Sequence, residues 1–92
     1  KELNNKAVSF FEAGHLDDAL KAFDSAFKVM PKSSTIALNL MQTLIESNLN
    51  IEHHELKTII IRCKKTILQS ELTEAQTLRF EKLNEMLEQQ YL

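Results

Sequence analysis

Apolar residues recur along most of the chain at intervals of three and four, which is the spacing of one face of an α-helix. Gly14, Pro31 and the Asn-rich stretch 48–50 interrupt this pattern and divide it into segments. Because the connections are only about two to five residues long, neighbouring helices are expected to run antiparallel. Five helices are predicted, at about Glu2–Ala13, Leu16–Met30, Thr35–Ser47, Glu52–Leu68 and Glu74–Tyr91.

Local chain chemistry supports three of the predicted helix ends. Gly14 can adopt the left-handed conformation that commonly follows a helix. Ser33 or Ser34 can accept a hydrogen bond from the first turn of the third helix. Thr73 followed by Gln76 fits a reciprocal capping box at the start of the fifth helix. The boundaries are therefore predicted from residue chemistry as well as from spacing.

Composition favours the same all-helical interpretation. One Gly and one Pro in 92 residues argue against a fold rich in β-hairpins, whose turns need those residues. The length suits a single domain, 1–92, and 43% hydrophobic residues suit a soluble one. No apolar run exceeds Ile59–Ile61, so no membrane span is predicted, and no signal peptide is evident. Cys63 is the single cysteine, so no internal disulfide can form, and a reducing, cytoplasmic setting is expected. The absence of an initial Met suggests a fragment of a longer polypeptide, although removal of the initial Met would give the same sequence.

An interval of four and then three residues recurs between apolar positions in four of the predicted helices. The positions are Leu3, Ala7 and Phe10; Ala19, Phe23 and Ala26; Ala37, Met41 and Leu44; and Leu56, Ile60 and Cys63. The first and third helices are offset by 34 residues, and the second and fourth by 37. A period near 34 residues in a helix-turn-helix unit is the signature of tetratricopeptide repeats.

Residues 1–33 resemble one tetratricopeptide repeat. They match its large, small and aromatic residues, its turn glycine and its closing proline with Leu3, Ala7, Phe10, Gly14, Ala19, Phe23, Ala26 and Pro31. Residues 34–69 are similar to a degenerate second repeat, in which Met41 and Leu56 replace small residues. Residues 70–92 are expected to form the capping helix that such stacks require. The resemblance implies an all-α antiparallel stack of helix hairpins, with about two repeats and a C-terminal cap.

The tail and two other motifs give a narrower resemblance. Leu72-Thr73-Glu74-Ala75-Gln76, the opening segment 4–8 and the segment 38–40 are similar to short tetratricopeptide domains that follow receiver domains in bacterial response regulators. This resemblance implies a C-terminal, non-catalytic part of a cytoplasmic two-component signalling protein. Its expected role is to bind a protein partner, either a helix or an extended peptide segment.

Side chains suited to catalysis or metal binding form no recognisable pattern. Cys63 lies in the apolar stripe of the fourth helix and is expected to be buried and inert. His53 and His54 are about 100° apart on a helix, whereas metal-binding pairs prefer a spacing of four residues. A single glycine cannot supply a glycine-rich phosphate loop. No enzymatic activity, metal or cofactor is therefore expected.

Charge gives little reason to expect nucleic acid or membrane as a partner. The net charge is −2, although residues 31–70 carry five basic and three acidic groups and residues 71–92 carry two and five. The basic side chains of the fourth helix lack interleaved aromatic residues for base stacking and spread around the helix. A solvated face is favoured over a phosphate-contacting patch. These side chains are Lys57, Arg62, Lys64 and Lys65.

The resemblance implies a concave binding groove along the first helix of each repeat. The groove positions carried over from the family are Asn4, Val8, Phe11, Leu38, Gln42 and Ile45, with Glu12, Thr35 and Glu46 beside them. Four of them are apolar where the hairpin core does not require it, which favours an interface. A chaperone-tail clamp needs Lys and Asn on the groove. The matching positions hold Asn4, Val8 and Gln42, so two apolar or neutral residues stand where charge and amide are needed, and this function is not expected.

Two alternatives for this apolar surface stay open. The fifth helix or an upstream domain could cover it, or a second copy of the chain could bind it in a homodimer. Ile61, Leu68 and Leu78 lie off the main apolar faces of their helices. They fit either a fourth helix between the third and the fifth, or a dimer contact.

Overall fold

The described part of the chain folds into five α-helices and confirms the predicted all-α class. The structure is a computed structural model that describes residues 2–47 and 53–91. Every helix boundary lies within one residue of the sequence prediction. The predicted connection at 48–50 lies outside the described residues. The helices are α1 (Glu2–Glu12), α2 (Leu16–Val29), α3 (Ser34–Glu46), α4 (His53–Leu68) and α5 (Glu74–Tyr91).

The predicted helix ends have the expected local geometry. Gly14 has a φ of 83°, in the left-handed region that glycine adopts without strain. The Ser33 hydroxyl oxygen accepts a hydrogen bond from the Ile36 amide at 3.2 Å, so Ser33 is the cap of α3. Thr73 and Gln76 exchange two hydrogen bonds of 3.1 and 3.0 Å between side chain and amide. The capping box at α5 is therefore confirmed.

The helices pack as a stack of antiparallel hairpins. α1 packs on α2 and α3 packs on α4, while contacts between α2 and α3 join the two hairpins. α5 packs on α3. As a result α3 is the central helix of the stack, and eight of its 13 residues are buried.

One hydrophobic core extends through all five helices. Ala7 of α1 and Ala19 of α2 are completely buried, which allows these two helices to approach closely. Phe23 and Phe27 are the bulkiest of the fully buried side chains. The buried cluster contains Ala7, Ala19, Phe23, Ala26, Phe27, Ile36, Ala37, Leu38, Leu40, Met41, Ile45, Cys63, Ile67, Leu83 and Leu87.

Two apolar residues near helix ends are exposed, Leu3 of the repeated apolar pattern and Met30 at the predicted end of the second helix. They are 39% and 46% exposed, and both line a shallow cavity between the start of α1 and the end of α2. Ile36 at the start of α3 lines the same cavity, so the two side chains lie at the edge of the contact among these three helices. Helix periodicity alone does not distinguish the middle of a buried face from its edge.

The expectation that α4 lies between α3 and α5 is wrong. Ile61 and Leu68, which would face α5 in that arrangement, are 63% and 73% exposed. The physical reason is that α5 packs on α3, where Leu83 and Leu87 enter the common core. One flank of α4 therefore has no neighbour among the described residues.

Candidate protein-binding groove

A groove opens between α1, α3 and α5, with α2 at its base. Its volume is about 210 Å³. One wall is apolar and the other is formed by amide and guanidinium groups. The lining residues are Val8, Phe11 and Glu12 of α1, Phe23 of α2, Asn39 and Gln42 of α3, and Arg79 of α5. We refer to this feature as the α1–α3–α5 groove.

The polar wall is a chain of hydrogen bonds that joins three helices. The Arg79 guanidinium donates to Asn39 Oδ1 at 2.9 Å and to Gln42 Oε1 at 2.6 Å. The Asn39 side-chain amide in turn donates to Asn4 Oδ1 at 3.4 Å. These bonds fix the rotamers of the side chains that a ligand in the groove would meet, so the polar wall is preorganised.

Arg79 is a positive charge held beside apolar surface. Its burial lowers the pKa of Arg79, although a guanidinium stays protonated in proteins. Among the described residues no carboxylate lies within ion-pair distance of it. Glu12 lines the opposite wall of the same groove. The groove therefore carries an unpaired positive group on the α5 side and a negative group on the α1 side.

The side chains of the apolar wall are partly packed in the core and partly exposed to the groove. Val8 and Phe11 are half-buried and pack against the core with one side while lining the groove with the other. Phe23, almost fully buried, forms the base. Apolar side chains of ligands commonly bind to half-buried aliphatic and aromatic surface in a concave site.

Four of the six sequence-predicted groove residues lie together at this groove. Val8, Phe11 and Gln42 line it directly, and Asn4 reaches it through its hydrogen bond to Asn39. Their part in binding stays a prediction. Thr35 and Glu46 are exposed on α3, and neither lines the cavity.

The expected exposure of Leu38 and Ile45 is wrong. They are only 1% and 5% exposed and belong to the same core cluster as Leu83 and Leu87 of α5. The fifth helix packs on α3 and covers this side of it, which is the alternative that the sequence left open. With α5 in place, neither residue can touch a partner.

Asn39 and Arg79 line the groove but are not among the residues predicted from the sequence. The predicted position on α3 is Leu38, the apolar neighbour of Asn39, and no groove position is predicted on the fifth helix. One available signal was the polar series at intervals of four, three and four on the otherwise apolar α3. That series is Thr35, Asn39, Gln42 and Glu46. Arg79 gave no comparable signal, because the packing of α5 against α3 decides where it points.

Cys63 is buried, as expected from its place in the apolar stripe. It is completely inaccessible, and burial raises the pKa of its thiol from 9.0 to about 12. The nearby Arg62 lowers this pKa and Asp24 raises it, both by less than burial does. At neutral pH the group is a protonated thiol and a poor nucleophile.

Other chemistry is limited within the described residues. No group of three His, Cys, Asp or Glu side chains there could hold a metal ion. None of the helices in that part of the chain combines the length and apolar content needed to cross a membrane. The side chains of His53, His54 and Tyr91 lie outside what the structure describes. Arg62 points toward α2, with its guanidinium 5.2 Å from the Phe27 ring centroid.

No protein-family model, curated protein or solved structure matches this chain. The α1–α3–α5 groove is therefore interpreted from its own geometry and chemistry.

Proposed function

We propose that this chain is a non-catalytic protein-interaction module that holds a segment of a partner protein in the α1–α3–α5 groove. The main support is the position of Arg79, whose guanidinium is fixed by Asn39 and Gln42 beside the apolar surface of Val8 and Phe11. A fixed cation that pairs with no carboxylate of the described residues is suited to an acidic group on a ligand. The adjoining apolar wall is suited to an anchor side chain.

The two walls give the bound segment a direction. An acidic side chain of the partner would lie near Arg79, and a basic or neutral one near Glu12 on the other wall. An apolar side chain between them would cover Val8 and Phe11 and displace water from the cavity. Charged groups at the edges of such a site contribute mainly specificity, while the apolar anchor contributes affinity.

A wider assignment rests on the resemblance to tetratricopeptide repeats. Paired antiparallel helices that stack on each other are the arrangement this resemblance implies, and the helix contacts are consistent with it. We place the chain, as part of the same proposal, in the C-terminal region of a cytoplasmic bacterial response regulator. In that setting the groove would contact a downstream protein after signal reception. Nucleic acid and membranes are not proposed as partners.

Homodimerisation through the same apolar surface is less well supported. That alternative needs Leu38 and Ile45 to meet a second copy, and both are buried beneath α5. The surface that remains accessible in the groove is smaller than the predicted apolar surface, because Leu38 and Ile45 are buried, and part of it is polar. A narrow concave site favours a peptide segment over another globular surface.

Selection from a random-peptide display library tests the groove without knowledge of the natural partner. Selected peptides are expected to pair an apolar residue with a nearby Asp or Glu. On binding, they should shift the NMR signals of Phe11, Asn39 and Arg79. Phe11→Ala is expected to weaken binding about tenfold or more, because it removes the anchor surface. Lys21→Ala, an exposed change on α2, is the matched control and should leave binding unchanged.

Two outcomes would contradict this function. The first is a set of selected peptides that shift the NMR signals of residues in α4 or on the outer face of α2 and leave those of the groove unchanged. The second is unaltered affinity in both Phe11→Ala and Arg79→Met when circular dichroism shows that each variant is folded. Because Phe11 is half-buried, the thermal stability of the Phe11→Ala variant must be measured together with its affinity for the peptide.

A further inference from the structure

One flank of α4 carries an exposed apolar stripe with a regular spacing. Ile61 and Leu68 are 63% and 73% exposed and lie seven residues apart, hence on the same side of the helix. Lys57 and Lys64 complete this stripe at intervals of four, three and four. Exposed aliphatic side chains that align in this way indicate an interaction surface more strongly than scattered ones do.

This flank of α4 faces away from the first hairpin. The opposite flank is the one that contacts α2 and its C-terminal turn. There the Arg62 guanidinium lies 3.8 Å from Asp24, and the Thr66 hydroxyl donates a hydrogen bond of 2.8 Å to the Pro31 carbonyl. At about 100° per residue, Ile61 and Leu68 fall on the far side of the buried face from Arg62. The stripe is therefore at the second end of the stack.

α5 presents an acidic stripe at the same end. Arg79 lies on the flank of α5 that is directed to Asn39 and the groove. Glu81 and Glu88 lie on the other flank, are exposed, and share a series of four, three and four with Thr77 and Asn84. At this end of the stack, the outer flank of α4 is therefore basic and apolar. The outer flank of α5 is acidic. We call Lys57, Ile61, Lys64, Leu68, Glu81 and Glu88 the terminal surface.

We propose that a second copy of this chain docks on the terminal surface through a two-fold axis. Such an axis brings α4 of each copy alongside α5 of its partner, so that the same contact occurs twice. Lys57 and Lys64 then face Glu81 and Glu88 of the second copy, and Ile61 and Leu68 are removed from water. Self-complementarity of charge is the reason to choose a second copy over an unrelated protein. A single-sign surface would repel its own copy.

The dimensions are consistent with a weak dimer. At 1.5 Å per residue, α4 and α5 are about 24 and 27 Å long, and the terminal surface is two helices wide, each about 10 Å across. Such an area is near the lower limit of specific protein interfaces, so association is expected at micromolar to near-millimolar concentration. The α1–α3–α5 groove lies on the other flank of α5, so the dimer would leave both grooves open.

Sedimentation equilibrium over about 10 µM to about 1 mM tests the proposal directly. The wild-type chain is expected to shift from monomer to dimer across this range. The double substitution Ile61→Ser and Leu68→Ser should weaken the dimer about tenfold or more without lowering Tm, because both side chains are exposed. Val29→Ser, at the end of α2 and 70% exposed, is the matched control and should not change association.

Charge-reversal variants test whether the molecule that binds the terminal surface is a second copy of this chain. Lys57→Glu with Lys64→Glu makes both terminal stripes acidic, and Glu81→Lys with Glu88→Lys makes both basic. Each variant alone is expected to be monomeric at concentrations where the wild type dimerises, and an equal mixture should form a heterodimer. The heterodimer restores both α4–α5 contacts, and added salt should weaken it.

Three results would overturn the proposal. One is a wild-type chain that stays monomeric through the whole concentration range. Another is a dimer that survives both the serine and the charge substitutions, which would place the contact elsewhere. The third is a mixture of folded charge variants that does not associate. If either charge variant fails to fold by circular dichroism, the serine double variant decides the question alone.

Discussion

Burial is the largest influence on the chemistry of Cys63. Arg62, Lys64 and Lys65 flank it along the chain, and a sequence neighbourhood of that kind can activate a thiol. The thiol instead faces the α3 side of α4, where desolvation of the thiolate exceeds the attraction of Arg62. Adjacent residues on a helix point in different directions, so a charged neighbour in the sequence need not lie close to the thiol.

The raised pKa of Cys63 predicts a loss of stability at alkaline pH. The unfolded thiol ionises near its ordinary pKa of 9.0, whereas the folded thiol ionises only at about 12. The stabilisation is therefore complete below pH 9 and declines as the pH rises toward 12. In that window the free energy of unfolding should fall by up to about 1.4 kcal/mol per pH unit from this group.

Urea unfolding at a series of pH values measures this effect. Cys63→Ala is the reference, since it retains every other group that titrates at alkaline pH. Its free energy of unfolding should start lower, because a small cavity replaces the sulfur, but it should decline less steeply above pH 9. Parallel curves for the two proteins would show that the thiol of the folded protein is not protected.

At the scale of elements, the contact between α1 and α2 depends on small side chains. Ala7 and Ala19 are both inaccessible, and neither helix has room for a larger group at that point. Ala37 of α3 is also inaccessible, as are larger residues such as Leu40 and Ile67. Substitution at Ala19 tests the packing of the first hairpin.

Ala19→Phe is expected to destabilise the protein by about 1–3 kcal/mol, since the added ring must displace α1 or adopt a strained rotamer. Thermal unfolding followed by circular dichroism gives the change in Tm. Lys21→Ala serves as the control, because Lys21 is exposed on the same helix and its loss should change Tm very little. A Tm unaffected by the phenylalanine would mean that α1 and α2 are not closely packed at this point.

The five helices could be predicted from sequence because their ends are set by local chemistry. The helix ends depend on contacts between residues that are close in the sequence, as at Gly14, Ser33 and the Thr73–Gln76 pair. The spacing of apolar residues identifies the buried face of each helix. The position of α5 could not be predicted in the same way. Its inward side chains fit either α3 or α4, and only the combined packing of the three helices decides between them.

The candidate groove was predictable to the extent that it depends on α1 and α3. Val8, Phe11 and Gln42 are positions that the resemblance to tetratricopeptide repeats implies for the first helix of each repeat, and all three line the groove. Leu38 and Ile45 were misplaced because the sequence does not show which side of α3 receives α5. Arg79 was missed for the same reason, since it reaches the groove from a helix whose position was not predicted.

At the scale of the whole molecule, the helices differ in how many neighbours hold them. α3 packs on α2, α4 and α5, whereas α5 packs on α3 and has its own inner residues, Leu83 and Leu87, in the core. Opening of α5 therefore breaks fewer contacts than any opening that releases α3. Stability is expected to be graded across the stack.

Native-state hydrogen exchange should show this gradient. Backbone amides in the middle of α3 are expected to exchange only through global unfolding, because its removal would disrupt both hairpins. Amides in the middle of α5 should exchange about tenfold faster or more, through local detachment of that helix. Equal protection factors for α3 and α5, measured by NMR under the same conditions, would contradict the graded arrangement.

The burial of α3 also limits how this protein can change over evolutionary time. After its first residue, only Thr35, Asn39, Gln42 and Glu46 lie outside the buried set of the helix. Mutations elsewhere in α3 alter the core and are expected to be removed by selection for stability. Two of the four permissive positions, Asn39 and Gln42, hold Arg79 at the groove. For the proposed ligand of the groove, a change of preference is therefore more accessible to mutation in α1, where Glu12 is exposed and Val8 and Phe11 are half-buried.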